Sequence, residues 1–267
     1  MLNLFWYVKK MENIKELRKI CQPEYPEVRK DKYFRLYKRF LRNFSIYITR
    51  LVLYTNLNAY HMNLFVLLLG LTSAFLFAYD KLILGAIFIQ LWYLFDCVDG
   101  EVARYRMRNL KRGDFKYTHG LYTDLNIHHI VHSAFFIGIT INVYNYFNHL
   151  YIIIFGFLII FSLLFNDLIN LNRITSIFLE FKINPNSVRT FMDLNKKRKK
   201  SIERKSVYST FFKLFYRFPG TLNVIFIAAI FNLFYYFLIF YGITFPLIVL
   251  IKFIKSLNLK LKDMLKF

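Results

Sequence analysis

The sequence predicts an all-α, multi-pass membrane protein with six transmembrane helices preceded by an interfacial amphipathic helix. Three observations predict it. Of the 267 residues, 57% are hydrophobic and 20% aromatic, which no ordinary soluble domain matches. The apolar residues gather in runs close to the ~20 residues that cross a bilayer. The basic residues, which give a net charge of +21, lie almost entirely between those runs. That placement argues against nucleic acid as the partner, because it follows the membrane topology and makes no single basic face. The two cysteines, Cys21 and Cys97, offer no disulfide framework.

Taken in order, residues 1–13 carry an apolar run too short for a signal sequence, and no small-residue cleavage site follows. Residues 14–32 are polar, contain Pro23 and Pro26, and read as a cytoplasmic lead-in. Between 33 and 54, Leu36, Phe40, Phe44, Ile48, Leu51 and Val52 recur at helical spacing, with Arg35, Lys38, Arg39, Arg42 and Arg50 between them. This is the pattern of a basic amphipathic helix lying in the membrane interface. Spans are expected at 63–79, 82–98, 120–143, 150–169, 222–241 and 244–254. The second is expected to continue as helix through Arg104, and Lys252 in the short sixth would have to snorkel.

The connections at 80–81, 144–149 and 242–243 carry almost no Lys or Arg, whereas 1–60, 104–119, 173–217 and 255–267 carry nearly all of it. The positive-inside rule then puts both termini on the cytoplasmic side. The expected organisation is an N-terminal segment 1–60, a six-helix membrane domain 61–257 with a basic loop 173–217, and a basic tail 258–267. The expected location is the inner membrane of a bacterium. Lys196 to Lys200, within that loop, either simply obey the topology rule or attract anionic lipid head groups.

The chemistry concentrates between Asp96 and His132. Asp96, Asp99 and Ala103 share one helix face, and Gly120, Asp124, His128 and His132 form a stripe repeating every four residues. Ionisable groups at the ends of membrane spans mark functional sites. Two such helices side by side would gather three carboxylates and an imidazole, which repel unless a divalent cation neutralises them.

These residues resemble the signature of the CDP-alcohol phosphotransferase family, D-x-x-D-G-x-x-A-R followed by G-x-x-x-D-x-x-x-D. The chain supplies Asp96, Asp99, Gly100, Ala103 and Arg104, then Gly120 and Asp124. It departs in two places: the gap from Arg104 to Gly120 is about twice the usual one, and His128 replaces the fourth aspartate. Gly113 would suit the gap, but four residues on it meets Tyr117. The wider similarity, over roughly 45–257, is mainly one of hydropathy.

The resemblance implies that Asp96, Asp99 and Asp124 hold two Mg²⁺ or Mn²⁺ ions, and that His128 stands where a general base is expected. His128 would then be the base, a nitrogen ligand to the metal, or the mark of a degenerate site. Gly100, Ala103 and Gly120 would keep the helices low for substrate. Arg104 would either hold a phosphate or anchor its helix at the interface. His132 reads first as a packing residue. The implied reaction joins a CDP-linked lipid or alcohol to an alcohol acceptor with release of CMP, in a homodimer surrounded by membrane lipids. The rivals are a scaffold without catalysis and a transporter with an acidic intramembrane site.

Overall fold

The computed structural model describes residues 12–22, 32–108, 115–183, 215–216 and 220–257. The described residues are almost wholly helical. In chain order the helices are α1 (Ile14–Cys21), α2 (Lys32–Tyr54), α3 (Ala59–Ala78), α4 (Leu82–Arg106), α5 (Phe115–Phe147), α6 (Leu150–Ile183), α7 (Gly220–Ile230) and α8 (Phe234–Leu257). Among the described residues, five segments are long and apolar enough to cross a membrane: Ala59–Ala78, Leu82–Arg106, Tyr122–Phe147, Leu150–Ser176 and Phe234–Leu257. They leave Leu68, Phe75, Ile83, Phe157 and Leu247 exposed, as helices surrounded by lipid do. The chain is a multi-pass membrane protein.

Three turns share one device. Asp80, Asn148 and Asn232 all adopt positive φ, at 61°, 50° and 52°. Asp and Asn are the side-chain-bearing residues that tolerate this region best. After α3 the Lys81 N–H donates to Leu76 O and Asp80 N–H to Phe77 O; after α7 Leu233 N–H donates to Ala228 O and Asn232 N–H to Ala229 O. Both are Schellman endings, while Asn148 N–H to Tyr144 O is the simpler left-handed cap.

The third turn corrects the sequence reading. The break falls at 231–233, not at 242–243, so the expected fifth and sixth spans do not have their expected bounds. Gly242 lies inside α8, where a Cβ would come within 2.7 Å of Phe155 Cβ on α6. It is a close-packing glycine and not a turn. α7 has 11 described residues, about 16 Å of helix, shorter than a bilayer core of about 30 Å. The start of the expected basic loop, 173–183, is the end of α6; 184–214, with Lys196 to Lys200, and the tail 258–267 lie outside the described residues.

The chain divides into two compact units, one of residues 1–73 and 87–132, the other of 74–86 and 133–267. In the second unit, Gly138 lets α5 meet α3 backbone: a Cβ there would lie 2.2 Å from Ala74 O. Asp80 accepts from Asn142 Nδ2 at 3.1 Å and from the Tyr146 hydroxyl at 2.6 Å, stapling the α3–α4 turn to α5.

The first unit holds every candidate site residue. Its core joins Leu17 and Cys21 of α1 to Ile46 and Leu53 of α2, Met62 of α3, and Val98, Val102 and Tyr105 of α4. Residues 14–21 are therefore packed structure and more than a polar lead-in. Asn13 and Glu16 close α1 with a capping box. The Tyr105 hydroxyl and Arg108 Nη1 both donate to Glu12, and together they hold its carboxyl below the usual range. On α2, Leu41, Ser45, Ile46, Thr49 and Leu53 are buried, while Phe40, Phe44, Tyr47, Leu51 and Tyr54 are exposed.

Two outcomes follow. Gly138→Ala should destabilise the protein in detergent by about 1–3 kcal/mol, read as a lower unfolding temperature, because the obstructing atom is backbone; an unchanged temperature contradicts the packing. Burial pushes the Cys21 thiol up to about 12. A raised folded value stabilises the fold fully below the ordinary thiol range, and that contribution is lost as pH rises towards 12. Alkylation at pH 8, mapped by mass spectrometry, should leave Cys21 unmodified until the protein unfolds.

Candidate functional site

The site forms where the second half of α4 runs beside the first half of α5. At 100° per residue, Asp96, Asp99, Gly100 and Ala103 fall on one face of α4. Asp124 and His128 are one turn apart on α5. His128 Nε2 lies 2.9 Å from Asp96 Oδ1 and 3.5 Å from Asp124 Oδ1. One ligand atom from each of these three residues falls within 4.8 Å of the others. The imidazole thus bridges the two helices between two carboxylates.

Asp99 does not belong to that group of three, contrary to the simplest form of the expectation. It is 94% buried, and its Oδ2 has no hydrogen-bond partner among the described residues. It remains within electrostatic reach of Asp96, Asp124, His128 and Arg104. A buried carboxylate oxygen without a donor is costly, and a cation is a natural way to satisfy it. The donor set therefore fits a divalent ion: two carboxylates and an imidazole together, with a third carboxylate beside them.

Helix approach beneath this cluster depends on Gly70 of α3, where a Cβ would come within 2.4 Å of Val131 and 3.1 Å of Trp92. Trp92, fully buried one turn before Asp96, meets His128 and His132 edge to face at 5.4 and 5.6 Å. His132 continues the stripe and belongs to this aromatic packing; His129 is outside the group of three.

At Gly100, the nearest atoms a Cβ would meet belong to the guanidinium of Arg104, at 3.3 Å from Nη1 and 3.5 Å from Nη2. Gly120 faces Met107, whose Cε lies 3.8 Å from the equivalent position. Gly120 therefore borders the end of α4, with room to spare. Ala103 is half-buried on the aspartate face.

Sequence reasoning missed Glu101. It is fully buried on the other side of α4, accepting from Ser45 Oγ at 2.6 Å, Thr49 Oγ1 at 2.6 Å and Gln22 Nε2 at 2.7 Å. The available signal was Ser45 and Thr49, two hydroxyls one turn apart on the face of α2 that otherwise carries Leu41, Ile46 and Leu53. Arg104 Nε donates to Cys21 O at 2.5 Å, so the signature arginine is tied to α1.

Comparison with family models and with curated proteins gave no match.

If the three clustered residues receive a cation, Mn²⁺ raises the unfolding temperature of the purified protein, and Asp124→Asn removes most of the rise. An equal rise in the variant would assign the ion elsewhere.

Proposed function

We propose that the protein is a membrane transferase of the CDP-alcohol phosphotransferase type. It moves a substituted phosphate group from a CDP-alcohol, with CDP-diacylglycerol the expected donor, to an alcohol acceptor, and releases CMP. The observation that carries this is the meeting of Asp96 with Asp124 and His128, which joins the two halves of the signature across two helices.

Asp96, Asp99 and Asp124 are the groups to hold a pair of Mg²⁺ or Mn²⁺ ions, whose contribution when bound is to neutralise the diphosphate and the departing phosphate. Gly100 and Ala103 leave the face of α4 low enough for a nucleotide to approach, and Gly120 does the same at the start of the opposing stripe. Arg104 adds a fixed positive charge over Gly100. With Asp96 and Asp124 engaged by cations, His128 Nε2 would give up its carboxylate partners and be able to take the proton of the acceptor hydroxyl as its oxygen attacks the lipid-bearing phosphorus. The bond from that phosphorus to CMP breaks. The negative charges of Asp96 and Asp124 beside the ring stabilise the imidazolium that results. An imidazole has an ordinary pKa nearer neutrality than an aspartate, so the departure at position 128 is compatible with turnover.

The proposed site lies at the cytoplasmic face, the side that the charge asymmetry of the connections favours. Counting α7 as a crossing gives six, which keeps both basic ends on one side. α2 lies in the interface, with Phe40, Phe44, Tyr47, Leu51 and Tyr54 turned to lipid. The assembly is a homodimer, by the resemblance alone.

The assay is purified protein in detergent with Mn²⁺, CDP-diacylglycerol and a panel of alcohols, followed by CMP release. Asp99→Asn should stay folded and lose at least 100-fold in rate, about 2.7 kcal/mol. Release at the wild-type rate would remove the assignment. His128→Ala should lower kcat more than it raises KM, while His128→Asp keeps measurable turnover; complete loss in His128→Asp would place the base elsewhere.

A further inference from the structure

We infer that segment 12–22 is a positioning element of the site: it holds Arg104 by Nε so that the two terminal nitrogens of the guanidinium lie over Gly100, where they receive a phosphate of the donor's diphosphate. This rests on the transferase reading and adds a part of the chain that the signature does not include.

α4 has two working faces. Asp96, Asp99, Gly100 and Ala103 form the first. Glu101, Tyr105 and Val102 form the second, which α1 and α2 cover. Arg104 sits at the seam between the faces. Its Nε donates to Cys21 O, a carbonyl of the last turn of α1. The carbonyls of a helix C-terminus lack intrahelical partners and carry partial negative charge, which suits a guanidinium. Meanwhile Nη1 and Nη2 extend across the Gly100 position. Holding Nε leaves the two-pronged end of the side chain available, and that end matches a phosphate.

The hold is itself anchored at three points. Leu17 and Cys21 are fully buried in the core shared with α2 and α4. Gln22 Nε2 donates to both Glu101 Oε1, at 2.7 Å, and Arg42 O, at 2.8 Å. Glu12 receives Tyr105 and Arg108 one turn beyond Arg104. An arginine meant only to anchor a helix end in the interface would need none of this. Arg106, by contrast, is exposed and donates to Thr55 O.

The test uses the full chain in detergent with three variants. Leu17→Asp places a charge in a fully buried socket and lifts α1. Gln22→Ala removes one tie without disturbing the apolar core. Arg104→Lys keeps the charge and loses the fork. Two things are measured: the CDP-diacylglycerol concentration that half-saturates thermal stabilisation in Mn²⁺, and the separate KM values for donor and acceptor. Leu17→Asp and Arg104→Lys should each weaken the donor about tenfold, with the double variant no worse than the poorer single, because both remove the same interaction. Gln22→Ala should weaken it about twofold to threefold, a partial loss of the same hold. The Mn²⁺ midpoint alone and the acceptor KM should not change.

Unchanged donor affinity in Leu17→Asp, or additive losses in the double variant, overturns the inference and leaves α1 a purely structural element. Should Leu17→Asp fail to fold, unchanged donor affinity in Gln22→Ala overturns it equally, whatever Arg104→Lys does. If wild-type protein is not stabilised by CDP-diacylglycerol at any Mn²⁺ concentration, the transferase reading falls and this inference with it. Binding by wild type with unaffected variants removes only the inference.

Discussion

The site depends on the cost of bringing carboxylates from two helices together in a poorly solvated place. Asp96 and Asp124 face each other across α4 and α5, and His128 stands between them with one nitrogen close to both. Asp99 is buried beside them with an oxygen that nothing in the described chain satisfies. Such a group would be expensive for a purely structural purpose, since an apolar side chain would pack α4 against α5 without it. The cost makes sense if the cluster is completed by cations and an anionic substrate.

The rest of the first unit serves to fix that meeting. Gly70 brings α3 against Val131 and Trp92, and Trp92 sets the edges of His128 and His132. Glu101 ties the opposite face of the same helix to α2 and to the end of α1 through three short hydrogen bonds. Two acidic positions on one helix thus meet opposite fates. Glu101 is fully supplied with donors and acts as a structural bolt, while Asp99, two residues earlier, keeps an oxygen in need of a partner.

Much of this was legible in the sequence because the membrane enforces simple rules. Long apolar runs located four of the five candidate spans, although Leu150–Ser176 runs on past the expected end at 169 and Ala59–Ala78 begins before 63, and a four-residue period placed Asp124 and His128 on one face. Other features were hidden for physical reasons. Gly242 read as a turn because glycine permits one, yet it serves close contact with Phe155, and the turn uses Asn232. The packing of α1 was overlooked although Ile14, Leu17, Ile20 and Cys21 recur at helical spacing, because the stripe is only two turns long and set among charged residues. Glu101 looked like a spacer within the signature because its three donors come from positions 22, 45 and 49, which only folding brings together. The substitution of Asp99 by His128 in the tightest ligand group was also beyond spacing arguments, which place residues on a face without fixing side-chain distances.

The most direct measurement is the anomalous scattering of Mn²⁺ in crystals of the full chain grown in the lipidic phase with a CDP-linked donor. The account predicts manganese peaks flanked by Asp96 and Asp124, with Asp99 turned to share them and the diphosphate over Gly100. Manganese bound only elsewhere, with the His128 to Asp96 contact intact, would contradict it.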